Sequence, residues 1–120
     1  MITKELLSLV ANEEVKEIQE RIYNNKLYYK TPCVGNKFDE KILYISLDTL
    51  GRRMKEWCRN RHYIVVSALI DNECGARAKI KYSFKGDAFL DVETEYFYAN
   101  TEAEAIIKAT EWVAKEKGLL

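Results

Sequence analysis

Apolar and charged residues alternate most strictly between Ala76 and Phe97. Ala76, Ala78, Ile80, Tyr82 and Phe84 share one parity, and Arg77, Lys79, Lys81, Ser83 and Lys85 share the other. Successive side chains of a strand point to opposite faces, so this pattern predicts a strand with one apolar and one wet face. After Gly86 the pattern resumes, with Ala88, Leu90, Val92, Thr94 and Tyr96 alternating with Phe89, Asp91, Glu93, Glu95 and Phe97. A loop at Lys85-Gly86-Asp87 sets Phe84 opposite Ala88, Tyr82 opposite Leu90 and Ile80 opposite Val92. On the other face it sets Lys81 against Asp91, Lys79 against Glu93 and Arg77 against Glu95. A slip of one residue would push carboxylates into the apolar face, which costs more than cross-strand ion pairs return. His62 to Ile70, rich in β-branched and aromatic residues, predicts a third strand before these two.

Helical periodicity appears in three places. The first 29 residues read as helix, with Thr3 capping a run through Leu6, Leu7, Leu9 and Val10. Asn12 caps a second run through Val15, Ile18 and Ile22. Ser46 or Asp48 caps a helix to about Arg59 with Leu47, Leu50, Met54, Trp57 and Cys58 on its inner face. Thr101-Glu102-Ala103-Glu104 is a capping box opening a helix that buries Ala103, Ile106, Ile107, Thr110, Val113 and Ala114. Thr31 to Asp39 reads as a loop, and Lys41 to Ser46 as a short edge strand. The expected fold is therefore α+β, a single antiparallel sheet of three main strands, with that edge strand as a fourth, in the order α-β-α-β-β-β-α. It forms one domain over residues 1–120, with an N-terminal helical segment (1–29) and a core (41–120) whose helices cover the face of Ile80, Leu90 and Val92.

Charge and cysteine usage narrow the setting. Lys+Arg and Asp+Glu are equal at 19 each, which leaves no bulk field to gather nucleic acid or anionic membrane. Neutrality also lowers the barrier to self-association. No apolar stretch reaches the length of a membrane span, and acidic residues interrupt the start where a leader would be apolar. Cys33, Cys58 and Cys74 are odd in number and widely spaced, the pattern of reduced thiols in a cytoplasm.

Little in the chain points to catalysis. Cys33, Cys58, His62 and Cys74 form a ligand set by composition, but they lack the paired spacing of a zinc site. His62 is the one histidine, so a Cys/His enzyme would have to be built on Cys58 and His62. Asp91, Glu93 and Glu95 face cations and read as a solvated ladder. The glycines form no phosphate-binding motif, and neither a cofactor nor a metal is expected. The balance favours a non-enzymatic role. Arg52, Lys55, Arg59 and Arg61, with Tyr63 to stack on a base, offer nucleic acid as the alternative partner. The opening of the last helix, acidic where double-stranded-RNA-binding domains are basic, argues against it. Phe89, Tyr96, Phe97 and Tyr98 form an aromatic group suited to a partner surface, with a homodimer as the simplest outcome.

Tyr44-Ile45-Ser46-Leu47-Asp48, leading into an amphipathic helix, and Ala99 to Ile106, opening the last helix, resemble a family of small phage and prophage proteins. So does an N-terminal helix ending in Tyr28-Tyr29. The resemblance implies an α-β-α sandwich, a prophage-type accessory role in the cytoplasm, and another phage protein or a second copy as partner. It carries over no catalytic residue.

Overall fold

The computed structural model describes residues 2–19, 24–33, 35–71, 75–85, 88–90 and 93–120, and of 36, 37, 71, 82–85 and 88–90 the backbone only. The elements run α1 (Lys4–Ala11), β1 (Glu17–Ile18), β2 (Lys26–Cys33), β3 (Asn36–Ser46), α2 (Leu47–Asn60), β4 (Tyr63–Asp71), β5 (Gly75–Lys85), β6 (Ala88–Leu90), β7 (Phe97–Ala99) and α3 (Glu102–Glu116). The fold is α+β with antiparallel pairing throughout, but it holds two sheets where one was expected. The first is β1-β2-β3; in the second, β5 lies between β4 on one side and β6 and β7 in turn on the other.

The unexpected sheet joins β1 and β2, from the segment read as helix and loop, to the edge strand expected at Lys41 to Ser46, which begins earlier, as β3, and pairs with β2 instead of the main sheet. Thr3 caps α1 by accepting from the Leu6 N–H, as the sequence indicates, but the helix stops at Ala11. Asn12 adopts a left-handed conformation, φ 53°, and closes α1 instead of opening a second helix. Asparagine serves both purposes, because its short side chain tolerates that backbone and also caps well. Downstream, Leu27, Tyr29 and Thr31 are buried while Tyr28 and Lys30 are only partly so, which is strand periodicity. Pro32 sits where the β2–β3 register shifts, a place in a ladder that tolerates a missing N–H.

The second half follows the sequence pattern more closely. Ser46 caps α2 by accepting from the Thr49 N–H, and Leu47, Leu50, Met54, Trp57 and Cys58 are buried. Thr101 caps α3 through the Glu104 N–H, and α3 buries Ile106, Ile107, Thr110 and Val113. Gly51 lets the helices approach: a Cβ there would stand 3.2 Å from Ile106 Cδ1. Both helices pack on the face of the second sheet that carries Ala76, Ala78 and Ile80, each completely buried. The partners Leu90 and Val92 named with Ile80 lie outside the described side chains, as do Tyr82, Phe84, Asp91 and Cys74.

The register beside β5 departs from the single continuous strand expected over residues 88–97. Ser83 pairs with Leu90 and Lys85 with Ala88, a two-residue connection instead of three. At the far end Ala78 pairs with Phe97 and Ala76 with Ala99. Thr94 sits at the transition. Its N–H donates to the Ile80 carbonyl at 2.9 Å, and its Oγ1 accepts from the Ile80 N–H at 3.0 Å, where a strand would use its own carbonyl. Slippage between the strand ends therefore leaves the buried Ile80 amide satisfied. Thr94→Val is expected to cost about 2 kcal/mol by orphaning that N–H, and Thr94→Ser to restore most of the loss. Urea denaturation of both variants checks this.

Candidate functional site

The slip in register decides which rings face solvent. A strand displaced by one residue turns every side chain over. Phe97, expected on the charged face, packs against the core, whereas Tyr96, expected on the apolar face, lies on the wet one. Tyr96 sits under the Arg77 guanidinium at 4.4 Å and the Lys79 ammonium at 4.6 Å. Tyr98, 56% exposed, stands beside it with ring centroids 6.1 Å apart. Of the expected aromatic group, Tyr96 and Tyr98 thus form an outer pair, Phe97 belongs to the core, and the ring of Phe89 lies outside the described side chains.

Lys79 bonds Glu93 at 2.5 Å, so the two share a sheet face as the sequence pattern required. The hydrogen bond raises the Lys79 pKa and lowers that of Glu93. Val66 and Ala68 of β4 border Arg77 and Tyr96, completing a shallow depression of about 110 Å³.

The first sheet adds a second outer surface that was not legible in the sequence. Tyr28 and Tyr44 are cross-strand partners with rings 5.7 Å apart, and Lys26 lies 4.6 Å over Tyr44. Ile42, exposed beside them, faces Lys30, which pairs with Glu17 at 3.3 Å. The signal was the parity of Ile42 and Tyr44 against Leu43 and Ile45. That stretch was read as a strand, but its partner β2 was read as helix and loop, so the cross-strand pairing of Tyr44 with Tyr28 was hidden.

The basic group named from sequence separates into two parts. Arg52, Lys55 and Arg59 stand along the outer side of α2, where with Glu56, Ile64 and Val65 they line a cleft of about 320 Å³. Arg61 instead stacks on Trp57 at 3.7 Å and donates to the Trp57 carbonyl. Tyr63 packs edge-on against Trp112, centroids 5.9 Å apart, with Lys117 above its ring. Both make intramolecular packing contacts.

Cys58 is wholly buried, its thiol 3.7 Å from Thr110 Oγ1, and burial pushes its pKa up to about 11. His62 is exposed at the end of α2 in a left-handed turn, φ 72°. The thiol is thus held protonated in the core while the imidazole faces water, an arrangement unsuited to a nucleophile and its base. Among the described residues no group of three or more His, Cys, Asp or Glu is placed to hold a metal, and no helix is long and apolar enough to cross a membrane. No family model, no curated protein and no solved structure matches this chain.

Proposed function

We propose that the chain is a non-enzymatic binding or assembly module, of the accessory kind found among small phage proteins, and that it self-associates through the helix-free side of its sheets. The observation that carries this is the shape. The molecule measures 46 × 39 × 19 Å, and the short axis has room for one layer of helices and one of sheet. Its radius of gyration is 15.2 Å, against about 13.6 Å for a compact domain of this length. Its surface is 7871 Å² for 14.0 kDa, where scaling gives about 6,700 Å². The excess, about 1,200 Å², exceeds the roughly 800 Å² that one partner contributes to a standard interface.

The outer faces carry Tyr28, Ile42 and Tyr44 on the first sheet and Tyr96 and Tyr98 on the second, mixed with charges of both signs. On the outer face of the second sheet Arg77 and Lys79 lie over Tyr96, and Lys79 bonds Glu93. Because this surface carries both signs, a copy turned by a two-fold axis offers carboxylates to its cations, which favours a second copy of this chain as the occupant. Light scattering over a micromolar-to-millimolar series is expected to show the mass rising above 14.0 kDa. Tyr44→Asp combined with Tyr98→Asp should hold it at the monomer value with an unchanged circular dichroism spectrum. A monomeric mass throughout, indifferent to these substitutions, removes the proposal.

A further inference from the structure

The second sheet ends on a strand that lacks the usual protection. Exposed edges are ordinarily guarded by charges or proline, because their unpaired N–H and C=O groups template further pairing. β4 runs for nine residues, yet from Ile64 to Ile70 it carries neither a charge nor a proline. Among the described residues β5 is its only strand partner. Leu69 and Ile70 are exposed at its far end.

Charge lies next to this edge instead of on it. Arg52, Lys55 and Arg59 project from α2 into the cleft above Ile64 and Val65, with Glu56 the one carboxylate in the lining. Among the described residues none of the three cations makes an ion pair. The row therefore presents a net positive charge to whatever lies beside β4.

We propose that the free edge of β4 and the cation row of α2 together bind an extended, carboxylate-bearing segment of a partner protein, which joins the second sheet as an added strand. Main-chain bonds to β4 supply the pairing and the α2 row selects the charge, the two components of recognition by strand addition. Alternate residues of an added strand lie about 6.8 Å apart on one face. Arg52 and Arg59 are separated by about 10 Å of helical rise, so two carboxylates fall within the row's reach. A second copy fits this edge poorly, because pairing β4 with β4 about a two-fold axis would bring two cation rows together. A nucleic acid would satisfy the cations but leave the strand edge unpaired. This proposal uses the sheet's edge and is independent of self-association through its face.

The test uses the whole chain and labelled probes read by fluorescence anisotropy. They are a peptide of alternating valine and glutamate, the same peptide with lysine for glutamate, the glutamate peptide N-methylated at alternate residues, and single-stranded and duplex DNA. The glutamate peptide should bind at least tenfold more tightly than either peptide control, and its binding should slow amide exchange along β4. Reversing the row in the triple variant Arg52→Glu, Lys55→Glu, Arg59→Glu should invert the preference toward the lysine peptide. The variant Tyr44→Asp, Tyr98→Asp should retain peptide binding, which separates this edge from the dimer face. Absence of peptide binding at millimolar concentration, equal binding of the glutamate and lysine peptides, or indifference to N-methylation overturns the proposal. So does DNA binding that is tighter than peptide binding and lost in the triple variant.

Discussion

Replacing Gly75 by alanine is expected to destabilise the protein by about 4 kcal/mol, the sum of left-handed strain and a clash that must move paired backbone. Gly75 opens β5 with φ +80°, a conformation that L side chains rarely adopt. A Cβ there would collide with the Ala99 carbonyl oxygen and crowd the Asn100 Cα at 3.2 Å. Those atoms belong to the end of β7 and the turn into α3, so relief requires separating β5 from β7 or displacing the start of α3. Gly35 provides the control. It has φ +82°, but a Cβ added there would meet nothing within 4 Å, so Gly35→Ala should cost only about 1 kcal/mol. Urea denaturation of the two variants against the parent measures the difference, and equal losses would contradict the packing described for Gly75.

The second large effect concerns pH. Burial holds the Cys58 thiol protonated to about pH 11, against an ordinary value of 9.0. Because the folded pKa lies above the unfolded one, the stabilisation is fully present below about pH 9 and is lost as pH rises through 11. Two pH units correspond to about 2.7 kcal/mol. Over this range the parent should therefore lose roughly 2 kcal/mol more stability than Cys58→Ala, in which Tyr29 and Lys79 still titrate. In the folded protein at neutral pH, alkylation of Cys58 should be at least ~100-fold slower than that of a free thiol, from the smaller thiolate fraction alone. Rapid, selective modification of Cys58 would revive the enzyme built on Cys58 and His62.

The elements legible in the sequence were those fixed by local signals. α2 and α3 each have a capping hydroxyl followed by an apolar stripe, and Ser46 and Thr101 act as that pattern implies. β4 and β5 were readable from β-branched runs and strict alternation. In the first sheet the end of β3 was readable but β2 was not, because Leu27-Tyr28-Tyr29 is an unbroken apolar run whose members face opposite sides of β2, Tyr29 inward and Tyr28 toward Tyr44. Parity is also informative only where the register is uniform. The Thr94 hydroxyl, standing in for a backbone carbonyl, interrupts that uniformity and exchanges the roles of Tyr96 and Phe97. At the basic segment, helical spacing placed Arg52, Lys55 and Arg59 on one side. Trp112, which engages Tyr63, lies on another helix, beyond the reach of local periodicity, whereas Arg61 lies over Trp57 one turn earlier in its own helix, a contact that i,i+4 spacing allows.

One consequence follows from α2 touching both β3 and β4 while it packs against α3. Among the described residues the two sheets share no ladder, so backbone pairing does not hold one against the other there. Their connection runs through the inner face of this one helix, with Leu50, Met54 and Cys58 completely buried in a core common to both halves. Melting α2 would uncover both sheets at once, so the halves are coupled into a single cooperative unfolding unit despite their separate hydrogen-bond networks. A ligand that stiffens α2 from its outer, cationic side would then raise the opening free energy of strands on both sides of the seam.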